Sequence, residues 1–302
     1  MILGSNPSRG TIDNYQHHVY AMFFRNNMKP LIIYHGNCAD GFGAAWCFHH
    51  RDPHGYDFHP GVYQQEPPDV EGRDVFLVDF SYKRPVVETM LARARSVVLI
   101  DHHKTAIEDL KPLLDTNQVR GVADVNHSGA MLAWQWLFGN ESAPQLLRHV
   151  EDRDLWRFAL PYTREIQSSV FSYGYDFEIW DHLMSSPLDQ LISDGVAIER
   201  KHFKDIRELL PQSTRLMRIG GHVVPVANMP YTMSSDAANI LAETQPFAAC
   251  YYDGPEYRIF SLRSRAPDGE DVSAIAQQYG GGGHRHSSGF RLALKDVSQV
   301  EI

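Results

Sequence analysis

Val97-Val98-Leu99-Ile100-Asp101-His102-His103-Lys104 is the stretch on which the fold turns. An apolar, largely β-branched run of strand length stops at an acid, two imidazoles and an ammonium, and a helix-like segment, Thr105 to Leu110, follows. This is a buried strand that delivers polar groups to its tip. In open α/β sheets the crevices that take ligands lie outside the carboxyl ends of the strands, so the stretch reads as part of a site.

Upstream the same pattern occurs twice. Val75-Phe76-Leu77-Val78 runs into Asp79, and Phe80 to Pro85 opens a helix expected over about 85–94, with Pro85 suiting its first turn. Leu31-Ile32-Ile33-Tyr34 runs into His35-Gly36-Asn37-Cys38-Ala39-Asp40-Gly41, and Phe42 to His50 carries Ala44, Ala45, Trp46 and Phe48 at the spacings of a packed helix. The first turn of that helix would point free backbone N–H groups at the loop before it, a place that favours anions. Parallel strands joined by helical crossovers bring their tips to one sheet edge. His35, Asp40, Asp79, Asp101, His102 and His103 would then converge, and carboxylates brought together out of water need a counter-charge. A divalent metal supplies it. Mixed carboxylate and imidazole donors suit manganese, iron, zinc or a loosely held magnesium. Two such cations about 4 Å apart would polarise a phosphoryl group and activate a water, the arrangement of two-metal phosphoester hydrolysis.

Downstream, Ser128 can cap a helix through Met131, Leu132, Trp134, Trp136 and Leu137 that Gly139 ends, and another spans about Ala143 to Val150. Both read as cover for the sheet. Leu188 to Leu210, bracketed by Pro187 and Pro211, is a long amphipathic helix and the expected connection between two domains. Beyond it, Arg215 to Ile219 and His222 to Ala227 alternate across Gly220-Gly221 as a hairpin. A helix over about Ser235 to Glu243, strands at Phe247–Tyr252 and Tyr257–Ser264 and a last helix at Asp271–Tyr279 complete a small mixed α/β unit. That helix runs into Gly280-Gly281-Gly282-Gly283-His284-Arg285-His286-Ser287-Ser288-Gly289-Phe290. Four consecutive glycines are costly as a mere link. As a loop of bare N–H groups, with His284, Arg285, His286 and Ser287 beside them, they form a cradle for phosphate oxygens.

Composition sets outer bounds. The 302 residues, 43% hydrophobic and 22% charged, are ordinary globular material, long enough for two modest domains. A net charge of -9 argues against binding a long duplex but not against small phosphorylated ligands, and Arg258, Arg263, Arg265 and Arg285 concentrate positive charge near the C-terminus. Three cysteines, Cys38, Cys47 and Cys250, make no even disulfide framework, which fits a reducing compartment. No apolar run approaches the roughly 18 residues of a spanning helix. A cytoplasmic protein without membrane contact is expected.

In their order, His35…Asp40, Asp79 and Asp101-His102-His103 resemble the motifs of the DHH phosphoesterase superfamily, and Gly281-Gly282-Gly283-His284 resembles the substrate loop of the DHHA1 domain. The resemblance covers nearly everything after residue 30. It implies a mainly parallel α/β domain flanked by helices over 30–187, a linker helix over 188–211 and a smaller mixed-sheet α/β domain over 212–302, with a cleft between the domains and residues 1–29 as an extension. It implies metal ligands at His35, Asp40, Asp79, Asp101 and His102, with Asp79 bridging. A further ligand would come from Glu151-Asp152-Arg153-Asp154-Leu155-Trp156, where Asp152 best matches the family pattern and Asp154 is the reserve. Cys38 stands where the family usually has an acid, so it is either a softer ligand or a packed thiol. His103, Asp79 and Asp101 would serve catalysis, and Arg263, Gly282, Gly283, His284, Arg285, His286 and Ser287 would hold the substrate.

The implied activity is hydrolysis of phosphoester bonds in short oligonucleotides, as an exonuclease performs it, or in small nucleotides. One or two divalent ions would be needed, manganese first. Hydrolysis of polyphosphate or pyrophosphate is the alternative among enzymes, and a catalytically weakened nucleotide-binding protein the alternative outside them. A homo-oligomer is compatible with each.

Overall fold

The structure, a computed structural model, describes residues 28–301. The extension expected over 1–29 lies outside them except for Met28 and Lys29. In chain order the elements are β1 (Leu31–His35), α1 (Ala39–Arg51), β2 (Asp57–Gly61), β3 (Asp74–Val78), α2 (Arg84–Leu91), β4 (Ser96–Asp101), α3 (Lys104–Asp115) and β5 (Arg120–Ala123). Then come α4 (Gly129–Phe138), α5 (Gln145–Asp154), α6 (Thr163–Val170), α7 (Phe177–Ser185), α8 (Leu188–Ser213), β6 (Thr214–Ile219) and β7 (His222–Asn228). After these come α9 (Ser234–Leu241), β8 (Ala248–Asp253), β9 (Tyr257–Arg263), α10 (Val272–Gln277), β10 (Gly282–His284) and β11 (Ser287–Ala293), followed by a 3-10 helix at Leu294–Gln299. Two compact units form. Among the described residues, one holds those up to His102, Leu110–Leu160 and Tyr173–Ser186; the other holds His103–Asp109, Pro161–Ser172 and those from Pro187 on. No helix among the described residues is long and apolar enough to cross a membrane.

The first unit is built on a five-stranded sheet of order β2-β1-β3-β4-β5 in which every neighbouring pair is parallel. The three strands legible in the sequence are its middle ones. Every residue of β3 is buried, as is every residue of β4 after Ser96, because a parallel sheet is covered on both faces. One face packs Ile33, Leu77 and Leu99 against Val87 and Met90 of α2 and Leu113 of α3. The other, reached by alternation, sets Phe76 against Phe48 of α1, with ring centroids 5.2 Å apart. The edge strands β2 and β5 carry no apolar run. β2 reads Asp57-Phe58-His59-Pro60-Gly61, and a proline is tolerated there because an edge leaves one side of the strand unpaired. β5 is four residues long and mostly exposed. The helix expected over 85–94 is shorter, ending at Leu91, and the one expected from Thr105 runs on to Asp115. Ser128 caps α4 as expected, its Oγ accepting from the Met131 N–H at 3.3 Å, and Gly139 ends it at φ +61°.

The second unit carries a mixed six-stranded sheet of order β10-β11-β9-β8-β7-β6, antiparallel except between β7 and β8. The β6–β7 hairpin turns at Gly220-Gly221, and Met217, Val224, Val226, Phe260, Leu262 and Phe290 form the core beneath it. α8 continues past Leu210 through Pro211 to Ser213. The glycine-rich stretch departs from expectation: it is not a loop. Gly282–His284 is a strand whose Gly282 lies opposite Gly289 and whose His284 lies opposite Ser287, so Arg285 and His286 alone make the turn. The glycines serve close approach within the hairpin. At Gly281 a Cβ would stand 2.1 Å from the Gly289 carbonyl oxygen, a separation no side chain tolerates.

Candidate metal centre

The register of the sheet sets the site. Tyr34 lies beside Val78 and Val78 beside Ile100, so the residues that end or follow these strands, His35, Asp79 and Asp101, share one edge. Asp79 leaves β3 at φ +52°, a left-handed conformation that aspartate and asparagine enter more readily than other side chains. Its N–H donates to the Ile100 carbonyl at 2.9 Å. So turned, the carboxylate places Oδ2 3.4 Å from His35 Nδ1 and Oδ1 3.0 Å from His102 Nε2. One carboxylate spans two imidazoles.

Asp40, in the first turn of α1, reaches the N-terminus of α4, where its oxygens accept from the Gly129 N–H at 2.6 Å and the Ala130 N–H at 3.1 Å. The unpaired amides and the dipole of that helix end hold the carboxylate. Gly129 also makes room: a Cβ there would stand 2.4 Å from Asp79 Cβ. His102 Nε2 lies 3.7 Å from Asp40 Oδ2 and 3.5 Å from Asp154 Oδ2. Asp101 Oδ1 accepts from the His102 N–H at 2.7 Å. Asp40, Asp79, Asp101 and His102 are 2%, 1%, 0% and 1% exposed, which leaves almost no water to disperse their charge.

Within the first unit, three sets of ligand atoms lie within 4.8 Å of one another: His35, Cys38 and Asp79; Asp79, Asp101 and His102; Asp40, His102 and Asp154. Asp79 belongs to two of them. Asp152, expected as the ligand of its segment, stands outside these sets. Its Oδ1 and Oδ2 accept from the Ala159 N–H at 2.8 Å and the Leu160 N–H at 3.1 Å, which folds the chain back after α5. Asp154, two residues on and therefore on the opposite side of the helix, stands with Asp40 and His102 instead. Tyr63 had no signal in the sequence. Its ring meets the His35 ring edge-on at 5.1 Å and the Phe80 ring at 4.9 Å, and it comes from the segment after the edge strand β2.

Burial works against a proton on the His102 imidazole, but the Asp79 hydrogen bond and the charges of Asp154, Asp79 and Asp40 outweigh it and hold the group well above the ordinary histidine range. His35 is raised in the same way, burial being outweighed by Cys38 and Asp79. Burial, then the charges of Asp79 and Asp154, push the Asp40 carboxyl well up. The imidazoles therefore keep their protons in answer to the surrounding acids. Carboxylate and imidazole donors with this excess of negative charge fit a divalent cation.

A pH dependence follows. For the two histidines and for Asp40 the folded state binds more protons than the unfolded chain, so stability falls as pH rises past the ordinary values, 3.8 for Asp40 and 6.5 for the histidines. Chelator-treated protein is expected to lose thermal midpoint as pH rises above about 6.5, and saturating manganese to flatten that decline by replacing the protons. Scanning fluorimetry across this range checks it; a midpoint that climbs with pH in chelator contradicts it.

In the second unit, His103 opens α3, its carbonyl accepting from the Ala106 and Ile107 N–H groups at 3.0 Å, and its ring stacks on His284 at 4.5 Å. The Gly283 N–H donates to Thr105 Oγ1 at 2.9 Å, with Gly282 next to it in β10. Arg263 lies opposite Ser287 and donates from Nη2 to Ser235 Oγ at 2.7 Å. His286 Nδ1 is 2.9 Å from Ser264 Oγ, and the exposed Arg285 reaches to 3.9 Å from Asp271. The sequence-predicted substrate residues thus gather at one end of the β9–β11–β10 edge.

No family model matches the chain. An uncharacterized protein of Acanthamoeba polyphaga mimivirus is 26% identical over 300 residues, covering 89% of this chain and 69% of that protein. Among solved structures, the chain is similar to an exopolyphosphatase-related protein from Bacteroides fragilis, with a TM-score of 0.47, 14% identity and coverage of 98% of this chain and 96% of that one. RecJ from Thermus thermophilus in complex with Mg2+ gives a TM-score of 0.46 and 15% identity over 99% of this chain and 52% of its own. The pGpG-specific phosphodiesterase PggH from Vibrio cholerae gives a TM-score of 0.45 and 14% identity over 90% and 96%.

Proposed function

We propose that this chain is a DHH-type, divalent-metal-dependent phosphoester hydrolase whose substrates are small nucleotides or short oligonucleotides. The observation that carries the reading is the Asp79 carboxylate, which gives one oxygen to His35 and the other to His102 at the edge of a parallel sheet, among buried acids. His35, Cys38 and Asp79 on one side, and Asp40, His102 and Asp154 on the other, would hold the metal. When bound, divalent cations polarise phosphoryl oxygens and lower the pKa of water, which is what phosphoester hydrolysis needs.

The chain's own residues prepare that chemistry. The N-terminus of α4 fixes the orientation of Asp40, and Asp101 braces the backbone of His102. Asp79 aligns both imidazoles through a single rigid turn. His103 is assigned to the scissile phosphate, as a donor to its oxygens or to the leaving group. Arg263, His284, Arg285, His286 and Ser287, with the backbone of Gly282 and Gly283, are assigned to a terminal phosphate, for which guanidinium and imidazole donors are suited. Cys38, Cys47 and Cys250 are free thiols, in keeping with a cytoplasmic setting.

A substrate panel with the full chain tests this: a dinucleotide, a 3',5'-bisphosphonucleotide, pyrophosphate and polyphosphate, each with manganese, with magnesium and with chelator. Turnover of the nucleotide substrates that requires metal and disappears in chelator is expected. Turnover of pyrophosphate or polyphosphate alone would replace the nucleotide reading, and silence on every substrate with metal present would remove the hydrolase.

A further inference from the structure

The donor sets of the centre differ in kind. Asp40, His102 and Asp154 offer carboxylate oxygens and one imidazole, whereas His35 and Asp79 share their set with a sulfur, the Cys38 Sγ, all three ligand atoms lying within 4.8 Å of one another. Cys38 is half-buried, while Cys47 and Cys250 are fully buried, the former with its Sγ on the Ala130 carbonyl at 3.7 Å. The helix does not engage the Cys38 side chain, which is hydrogen-bonded to His35 instead. Cys38 occupies the N-cap of α1, the place where a side chain commonly accepts from the first-turn amides, and makes no such bond.

We propose that Cys38 is a metal ligand and that His35, Cys38 and Asp79 form the soft half of an asymmetric centre, which selects a thiophilic divalent cation of the zinc, iron or cobalt class. The other half, Asp40, His102 and Asp154, takes an oxygen-preferring cation such as manganese or magnesium. This rests on the reading of the acid cluster as a metal centre. A thiolate is polarisable and favours the later transition metals, and a carboxylate in its place would leave the two halves nearly alike in donor type. On uptake the Cys38 S–H bond breaks, a sulfur–metal bond forms with both electrons from sulfur, and the proton leaves to solvent. Asp79 faces a different imidazole with each oxygen, so it would serve both donor sets.

Cobalt(II) is the probe. Chelator-stripped full-length protein, titrated with cobalt, is expected to show a near-ultraviolet thiolate-to-cobalt absorption band that is absent in Cys38→Ser and Cys38→Asp, with the far-ultraviolet circular dichroism of all three alike. Cys38→Asp is expected to weaken zinc binding about 10- to 100-fold in chelator competition while manganese uptake persists. Calorimetric cobalt binding to the wild type without the band, or a band that survives in either variant, overturns the role of Cys38 and leaves the metal centre standing. No uptake of cobalt, zinc or manganese overturns both. Should Cys38→Ser fail to fold, Cys38→Asp and the wild-type band against wild-type calorimetry still decide.

Discussion

Asp79→Asn is expected to yield a folded protein that has lost metal-stimulated phosphoester hydrolysis. Asparagine matches aspartate in shape and tolerates the left-handed backbone at φ +52°, so the N–H bond to the Ile100 carbonyl survives. The charge does not. Asp79 is shared by two donor sets and is the acid in contact with both His35 Nδ1 and His102 Nε2. Its neutralisation therefore weakens both halves of the centre at once. A loss of at least about a thousandfold in kcat is expected, roughly 4 kcal/mol of barrier. The rise in thermal midpoint that manganese gives the wild type by linkage should shrink in parallel. Turnover rates in saturating manganese, together with melting curves with and without it, read both effects. A folded Asp79→Asn protein with full turnover would sink the assignment.

Gly129→Ala is expected to destabilise the protein by about 1–3 kcal/mol and to take metal binding with it. At an ordinary helical position the same change would stabilise by up to about 1 kcal/mol, because alanine is the better helix former, so the sign of the effect is itself diagnostic. The new methyl would stand 2.4 Å from Asp79 Cβ and 2.7 Å from its Oδ1. Asp79 has nowhere to retreat, since its turn is fixed by the strand before it and by the bond to Ile100. α4 must move instead, and its first two amides then leave the Asp40 carboxylate they hold at 2.6 and 3.1 Å. Urea unfolding and manganese calorimetry on the variant check the two parts; a more stable variant that binds manganese as the wild type does contradicts the geometry.

Much of this centre was legible because burial on both faces gives β1, β3 and β4 uninterrupted apolar runs, so that the first polar residue after each run marks a strand tip. His35, Asp79, Asp101 and His102 were found in that way. The edge strands obey a weaker rule: with one side open, β2 accommodates Asp57, His59 and Pro60 and carries no pattern to read. Tyr63, which follows β2, was lost with it. Asp152 and Asp154 occupy the same helical turn, and no one-dimensional pattern says which of two acids two residues apart faces inward to a sheet edge and which faces the chain's own amides. The cap at Ser128 was readable, but the carboxylate that arrives on the amides behind it comes from Asp40, 89 residues earlier than Gly129. The glycine run reads in the sequence as a loop whose bare amides approach phosphate, whereas in the fold it pairs as a strand, and the backbone that approaches it is that of Gly289.

At position 79 the backbone and the proposed metal centre set separate conditions of entry. A left-handed turn at the end of a buried strand is open to glycine, asparagine and aspartate; two imidazoles on either side call for a carboxylate. Aspartate alone meets both. Glutamate keeps the charge and loses the turn, asparagine keeps the turn and loses the charge, and glycine keeps neither oxygen. A lineage that retained the chemistry would have no neighbouring residue to drift through at this site, and one that abandoned it would be free to change the residue while the sheet stayed as it is.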